Sequence, residues 1–306
     1  MHGLIIKSTG SWYKVQAENG KIYDCRIQGK FRIQGIKSTN PVAVGDHVTF
    51  EPESEKNTGV ITHIRDRKNY LIRKSVNLSK QKHIIAANID QAFLLITLEY
   101  PKTYTAFIDR FLVTAEAYRI PAVLLFNKID IYDEYLLAER DYLKDIYEAI
   151  GYQCLNISAL NTQTLDQVKT LMQDKVSLFV GNSGVGKSTL INAVEPGLDL
   201  QTKPISDVHR QGQHTTTFAE MFPLSFGGYI IDTPGIRGFG LYDFTKEEMS
   251  HFFPEIFALQ NDCKYHNCSH TIEPKCAVIQ AVENNEIAPS RYENYLTLLE
   301  DDDIYR

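Results

Sequence analysis

The chain has 306 residues, 43% of them hydrophobic and 11% aromatic, and a formal net charge of −6. That length exceeds what a single hydrophobic core serves, so two or three domains are expected, and no apolar run approaches the roughly 20 residues that a membrane-spanning helix needs. The opening MHGLIIKSTG lacks the extended apolar segment of a signal peptide, so a cytoplasmic protein without a membrane partner is expected.

The charge is unevenly spread. Residues 1–85 carry 15 Lys and Arg against 7 Asp and Glu, a balance of +8, while the remainder carries 17 against 31, a balance of −14. The basic end is a candidate contact for a polyanion. Within it, the β-type runs 3–7, 11–16, 21–27, 46–51 and 59–64 are separated by glycine and polar turns, with Asn19-Gly20 as a hairpin turn. Five short strands in this length suit a small closed barrel of the OB type over residues 1–72. Arg26, Lys30, Arg32, Lys37, Arg65, Arg67, Arg73 and Lys74 decorate it, and Trp12, Tyr13, Tyr23 and Phe31 are interleaved with them. Cations that track phosphates and aromatics that stack bases make up a nucleic-acid-binding barrel, although each aromatic taken singly also suits a core.

Strand and helix patterns then alternate: strand 91–98, helix 107–119, strand 121–126, helix 133–150, strand 152–157, helix 164–173 and strand 176–180. Such alternation predicts a mostly parallel sheet covered by helices on both faces, assigned to residues 73–245. Ligands of these sheets bind at the carboxyl ends of the strands. Every motif in this region sits at such an end.

Asn127-Lys128-Ile129-Asp130 follows the strand PAVLLF. A carboxylate only accepts, so Asp130 can take both the N1–H and the exocyclic amine of guanine, a donor pair that adenine lacks. Lys128 can lay its aliphatic stem on the ring, and Asn127 can tie the loop to its neighbours. Ser158-Ala159-Leu160 follows the next strand and can offer a backbone N–H to the guanine carbonyl oxygen. Then comes GNSGVGKST, from Gly181 through Asn182, Ser183, Gly184, Val185, Gly186, Lys187 and Ser188 to Thr189, between an apolar strand and a helix. Backbone N–H groups of such a loop wrap phosphates, Lys187 reaches the β and γ phosphates, and the Ser188 hydroxyl takes a place on Mg²⁺. Further on, a threonine from Thr215 to Thr217, assigned as Thr216, completes the magnesium shell. Asp232 of Asp232-Thr233-Pro234-Gly235 holds the ion through water, and the Gly235 N–H senses the γ-phosphate. Segments that gain and lose phosphate contacts in this way form a switch.

Three of the five cysteines fall in the pattern Cys263-x4-Cys268-x-His270-x5-Cys276. Three thiolates and an imidazole suit one structural Zn²⁺ with no position left for water, within a mainly helical segment assigned to residues 246–306. His266 is a competing imidazole. The tail, 292–306, reads as a short amphipathic helix ending in a solvated acidic run.

These motifs resemble those of the guanine-nucleotide-binding fold in an altered order, because NKID and SAL precede the glycine loop, which precedes HTTT and DTPG. The chain looks like a circularly permuted GTPase. An OB-type barrel, a permuted GTPase domain and a CxxxxCxHxxxxxC segment together are similar to the small-ribosomal-subunit-dependent GTPases of the RsgA family, over essentially the whole chain. The resemblance implies a GTPase that binds the small subunit late in its assembly, with weak intrinsic turnover stimulated by the subunit; a monomer is expected. It also implies that the barrel and the zinc segment touch ribosomal RNA. Many GTPases orient the attacking water with a glutamine just after DxxG. Here that position is Ile236, which cannot do so. The family's GRHTTT stretch appears as Gly212-Gln213-His214-Thr215-Thr216-Thr217, so the resemblance makes His214 the catalytic candidate beside Lys187, while Gln213 departs from the usual arginine. Two rival classes are an RNA-binding protein with a regulatory nucleotide site and a P-loop enzyme that uses another nucleotide.

Overall fold

The computed structural model describes residues 1–27, 41–53, 57–74, 82–198, 219–232 and 244–301, without the side chains at 73, 74, 82, 83 and 232. The first five strands are β1 (His2–Ser8), β2 (Tyr13–Ala17), β3 (Ile22–Ile27), β4 (His47–Pro52) and β5 (Thr58–Ile64). Alternate residues of β2 are buried, the period expected of a strand with one face inward. β1 pairs with β2 and β4, β2 with β3, β3 with β5 and β5 with β4, so the order β1-β2-β3-β5-β4 returns to its start and the barrel closes. Closure removes the exposed edges that an open sheet would leave. Asn19 and Gly20 make the β2–β3 turn as expected; Gly20, at φ +80°, donates its N–H to the Ala17 oxygen at 2.8 Å.

The barrel interior corrects part of the expected nucleic-acid surface. Tyr13 and Tyr23 are buried with Ile5, Val15, Phe50 and Ile61, and only Trp12 of the four named aromatics is exposed among the described residues. Arg67 is structural too. Its guanidinium forks onto the buried Asp46 carboxylate with two bonds of 2.6 Å and donates to the Pro41 oxygen at 2.7 Å. Arg26 pairs with Glu53 on the surface. Lys30, Phe31, Arg32 and Lys37, and the side chains of Arg73 and Lys74, lie outside the described residues.

The chain continues through β6 (Tyr70–Lys74), β7 (Lys82–Ala87), β8 (Gln91–Ile96), α1 (Thr105–Ala117), β9 (Ala122–Phe126), α2 (Glu134–Ile150), β10 (Gln153–Asn156), α3 (Thr162–Met172), β11 (Val176–Val180), α4 (Lys187–Val194), β12 (Glu220–Pro223) and β13 (Tyr229–Asp232). It ends in α5 (Pro254–Leu259), α6 (Ala277–Glu283) and α7 (Pro289–Glu300). Local chemistry sets several of these bounds. The Asp133 carboxylate caps α2 by accepting the Leu136 N–H at 2.9 Å, and Gly151 ends the helix at φ +111°. Asn161 caps α3 in the same manner. The β6–β7 hairpin was not foreseen; its two runs are short and polar at their outer ends.

Two compact units result. One comprises Met1–Ala92, Ala159–Val180 and Lys187–Gly238. In it β11 and β13 are parallel, β12 is antiparallel to both β13 and β1, and the strand order β11-β13-β12-β1 runs on into the barrel. The other comprises Phe93–Ser158, Gly181–Gly186 and Phe239–Arg306, with strand order β10-β9-β8. All six residues of β8 are buried, as in a strand covered on both faces.

In the second unit the C-terminal helices share one core with α1. Val113 packs with Met249, Phe253, Ile256, Val278, Ala281, Tyr295 and Leu298. The amphipathic helix expected of the tail is α7, which begins at Pro289 and carries the buried Arg291. The Arg291 guanidinium donates to Asp109 on α1 at 2.6 Å and to both oxygens of Glu255 at 2.7 and 3.1 Å. Tyr147 and Asn294 donate the remaining bonds to Asp109, at 2.8 and 2.6 Å. Asp301 pairs with Arg110, so the acidic run is partly neutralised; residues 302–306 lie outside the described residues. Burial pushes the Asp109 carboxyl up, and Arg291, Asn294 and Tyr147 pull against it. Removing one member of such a group leaves the others charged and unpaired in a dry site. Arg291→Met is expected to destabilise the chain by about 3–5 kcal/mol, read as a lowered midpoint of urea unfolding; an unchanged midpoint would mean that the cluster adds nothing.

Candidate nucleotide site and metal centre

The predicted site loops start where strands stop. Asn127 follows β9, Ser158 lies two residues past β10, Gly181 follows β11, and Asp232 is the last residue of β13. Within the second unit the loop at 127–130 is joined to the loop at 181–186 by side chains. Asn127 is 1% exposed, and its Nδ2 donates to the Val185 oxygen at 2.8 Å. Its backbone N–H donates to the Ile96 oxygen at 2.8 Å, so the loop is anchored to the end of β8 as well. Lys128 sits at φ +63°, and its ammonium donates to the Gly184 oxygen at 2.9 Å and to the Tyr100 oxygen. Burial pushes the Lys128 amine down, opposed by the neighbouring Asp130 carboxylate.

The close approach explains the glycine at 186. At φ +93°, a Cβ there would lie 2.7 Å from the Asn127 Nδ2. An L side chain would be strained by its backbone and would push on the amide that holds Val185. The Ile129 N–H donates to the Ile157 oxygen at 3.3 Å, which brings the loop at 127–130 to the buried Ser158. Asp130 is exposed and therefore open to a ligand, and so is Leu160, while Ala159 is half-buried. In the glycine loop Val185 is buried, Gly181, Asn182 and Gly186 are half-buried, and Ser183 and Gly184 are exposed. Lys187, Ser188 and Thr189 form the first turn of α4, whose Leu190, Ile191 and Val194 are buried. The Asp232 side chain, Thr233, Pro234, Gly235, Gln213, His214 and Thr215 to Thr217 lie outside the described residues.

Two supports of this site were missed in the sequence. The Tyr132 hydroxyl donates to the Asn127 oxygen at 2.9 Å and accepts the Leu98 N–H at 2.8 Å, bracing both strand ends. Thr103 accepts the Thr97 N–H through its hydroxyl at 3.2 Å, shaping the turn that carries the Tyr100 oxygen to Lys128. Neither has a local signature, because each partner lies at least several residues away and across the sheet end.

The second constellation assembles as the spacing predicted. One ligand atom each from Cys263, Cys268, His270 and Cys276 all lie within 4.8 Å of one another, an arrangement that can hold a metal ion. His270 Nδ1 is 3.5 Å from the sulfurs of Cys263 and Cys276, which are 3.8 Å apart. His266, the competing imidazole, is exposed and outside the cluster. Packing fixes the loop: Tyr292 donates to the His270 oxygen and Tyr295 to the Ser269 oxygen, both at 2.8 Å. Glu273 accepts from the Ser269 N–H and hydroxyl and from the Thr271 N–H. Burial pushes that carboxyl up, but these bonds outweigh it and hold it at about 2. Burial, with Cys276 and Cys263 as neighbours, pushes the Cys268 thiol up to about 12. A cation among the sulfurs reverses that preference and favours thiolate.

Comparison with known proteins covers nearly the whole chain. The family model for the RsgA N-terminal domain matches residues 2–61, and that for the RsgA GTPase matches residues 64–242. A Christiangramia forsetii protein named small ribosomal subunit biogenesis GTPase RsgA is 62% identical, covering 100% of this chain and 98% of its own. A Bacteroides fragilis protein of the same name is 56% identical over 98% of this chain and 97% of its own. Among solved structures, YjeQ from Thermotoga maritima superposes with a TM-score of 0.81 at 36% identity, covering 99% of this chain and 98% of that one. YloQ, described as a circularly permuted GTPase, gives 0.77 at 33% identity, covering 99% and 94%. A closed amino-terminal barrel, strand-end loops in permuted order and similarity along the full length lead to one assignment: the chain belongs to the RsgA GTPase family.

Proposed function

We propose that this chain binds the small ribosomal subunit late in its maturation and hydrolyses GTP to GDP and phosphate there, with turnover stimulated by the subunit. The observation that carries the nucleotide half is the Asn127–Val185 bond together with the Lys128 bridge to Gly184. They hold a guanine-reading loop against a phosphate-wrapping loop with no flexible linker between. The partner half is supported by the name, small ribosomal subunit biogenesis GTPase, of relatives that match this chain along nearly its whole length. Functionally the chain divides into a barrel at 1–72 that meets ribosomal RNA, a GTPase part at 73–245 and a metal-binding part at 246–306. It acts as a cytoplasmic monomer; among the described residues no helix is long and apolar enough to cross a membrane.

Each site residue then has a task. Asp130 accepts from the guanine N1–H and amine, the Lys128 stem covers the ring, and a backbone N–H of Ser158, Ala159 or Leu160 donates to the guanine oxygen. N–H groups from Gly181 to Gly186 surround the phosphates, and Lys187 neutralises charge on the β and γ oxygens. Ser188 and Thr216 supply the hard oxygen donors that suit Mg²⁺, with Asp232 acting through water. A magnesium ion held by these residues would supply positive charge to the phosphate oxygens. Gly235 reports the γ-phosphate, and His214 orients the attacking water in place of the glutamine that Ile236 replaces.

The metal centre fits zinc. A tetrahedral ion with about 2.3 Å bonds to sulfur and about 2.0–2.1 Å to nitrogen sets S···S edges near 3.8 Å and S···N edges near 3.6 Å. The separations of 3.8 and 3.5 Å among Cys263, His270 and Cys276 have these dimensions, and Cys268 completes a set whose four ligand atoms lie within 4.8 Å of one another. Four protein ligands leave no place for water, so the ion is structural.

Steady-state hydrolysis by the purified chain, alone and with small or large ribosomal subunits, tests the proposal. Strong stimulation by small subunits only, with ATP inert, is expected. Equal GTP turnover with and without subunits would remove the partner, and ATP turnover would remove the guanine reading. His214→Ala is expected to cut stimulated turnover by about 10²–10⁴-fold while GTP affinity stays nearly intact; an equal loss of affinity would overturn its role. Native mass spectrometry should find one zinc per chain, absent in Cys276→Ser. Chelation should lower the unfolding temperature, because metal binding is folding free energy in a small site. A chain free of metal after purification without chelators would overturn the zinc assignment.

A further inference from the structure

We propose that the second compact unit carries a docking groove for a basic, amphipathic peptide segment of a partner protein, separate from the nucleotide and metal residues. A cavity of about 410 Å³ opens between α2 and the turn that joins α6 to α7. That volume lies in the range of ordinary binding pockets, about 300–1,000 Å³. From α2 it is lined by Tyr142, Asp145, Ile146, Ala149 and Ile150, at spacings of three, four, seven and eight residues from the first. These positions form one stripe along the helix. The facing wall includes Glu255, Glu286, Pro289 and Arg291.

The wall is built in advance of any ligand. Asn285 takes the left-handed conformation at φ +60°, and the N–H groups of Glu286 and Ile287 both donate to the Ala281 oxygen, at 2.8 and 3.3 Å. Arg291 is locked to Asp109 and Glu255 beneath it. A partner entering this groove would therefore not have to order it, which lowers the cost of association.

Charge selects the occupant. Three carboxylates, Asp145, Glu255 and Glu286, line the groove, and the cation among the lining residues is Arg291. Its charge is already divided between Glu255 and the buried Asp109. No ion pair among the described residues takes up Asp145 or Glu286, both exposed. The groove thus presents an acidic rim around an aliphatic floor of Ile146, Ala149, Ile150 and Pro289. A polyanion such as RNA is repelled by that rim, and a polar cation alone leaves the floor wet. A segment that alternates Lys or Arg with aliphatic residues satisfies both, with cations at Asp145 and Glu286 and apolar side chains between them.

The test uses the full-length protein and a short fluorescent peptide of alternating Lys and Leu, read by anisotropy. Two control peptides replace Lys by Glu or Leu by Ser. The Lys-Leu peptide is expected to bind with an affinity that falls as salt rises. The Ser control should bind at least about tenfold more weakly and the Glu control not at all. Asp145→Lys with Glu286→Lys should reverse the rim charge, and Ala149→Trp should fill the groove from an exposed position. Each is expected to weaken the Lys-Leu peptide by at least about tenfold while leaving unfolding temperature and GTP turnover unchanged. Equal binding by the wild type and both variants, equal binding of the Ser control, or no binding at all would overturn the proposal.

Discussion

A nucleotide site of this type needs two loops from different strand ends to keep a fixed separation, and here that depends on one buried amide. Asn127 lends its Nδ2 to the Val185 oxygen and its backbone N–H to the Ile96 oxygen, so the base-side loop is fastened to the phosphate-side loop and to β8 together. Everything around it serves that arrangement. Gly186 leaves room for the amide, Lys128 spans to Gly184 and Tyr100, and Tyr132 holds the Asn127 carbonyl from behind. Because the amide is 1% exposed, water cannot replace Val185 as its partner, and the bond is retained by the cost of leaving both groups unpaired.

The same economy governs the C-terminal segment. Its metal-ligand loop is held by tyrosines of α7, and α7 is held by Arg291 in a buried cluster with Asp109 and Glu255. Such a cluster adds little net stability over an apolar replacement, but it tolerates no single deletion, so it specifies how α7 lies on α1. Cys263, Cys268, His270 and Cys276, which could hold a metal ion, are thereby placed by a core shared with α1.

The barrel shows how far composition can mislead about surface. Cations and aromatics in its sequence read as an RNA platform, yet Arg67 is spent on Asp46, and Tyr13 and Tyr23 fill the interior. Of the cations and aromatics named in the sequence, what remains for a polyanion among the described residues is narrower: exposed Trp12 and Arg65, with Arg26 partly engaged by Glu53. Burial of a guanidinium is decided by whether a carboxylate meets it inside, and a count of charges does not contain that.

Features written in neighbouring residues were legible from the sequence alone. Strand and helix periods, the Gly20 turn and the glycine loop with its flanks depend on contacts within a few positions, and the Cys-His spacing is itself a property of the chain, so the amino-acid order determines them. The altered order of motifs was likewise readable, since it is a property of the chain and not of its folding. Tertiary structure decided the remainder: the Asn127–Val185 bond spans 58 positions, Arg291–Asp109 spans 182, and Arg67–Asp46 spans 21, between the start of β4 and the segment after β5. Each pairs groups of ordinary type whose partner becomes definite only when separate elements are packed and water is excluded, because only then does an unpaired polar group carry its full cost.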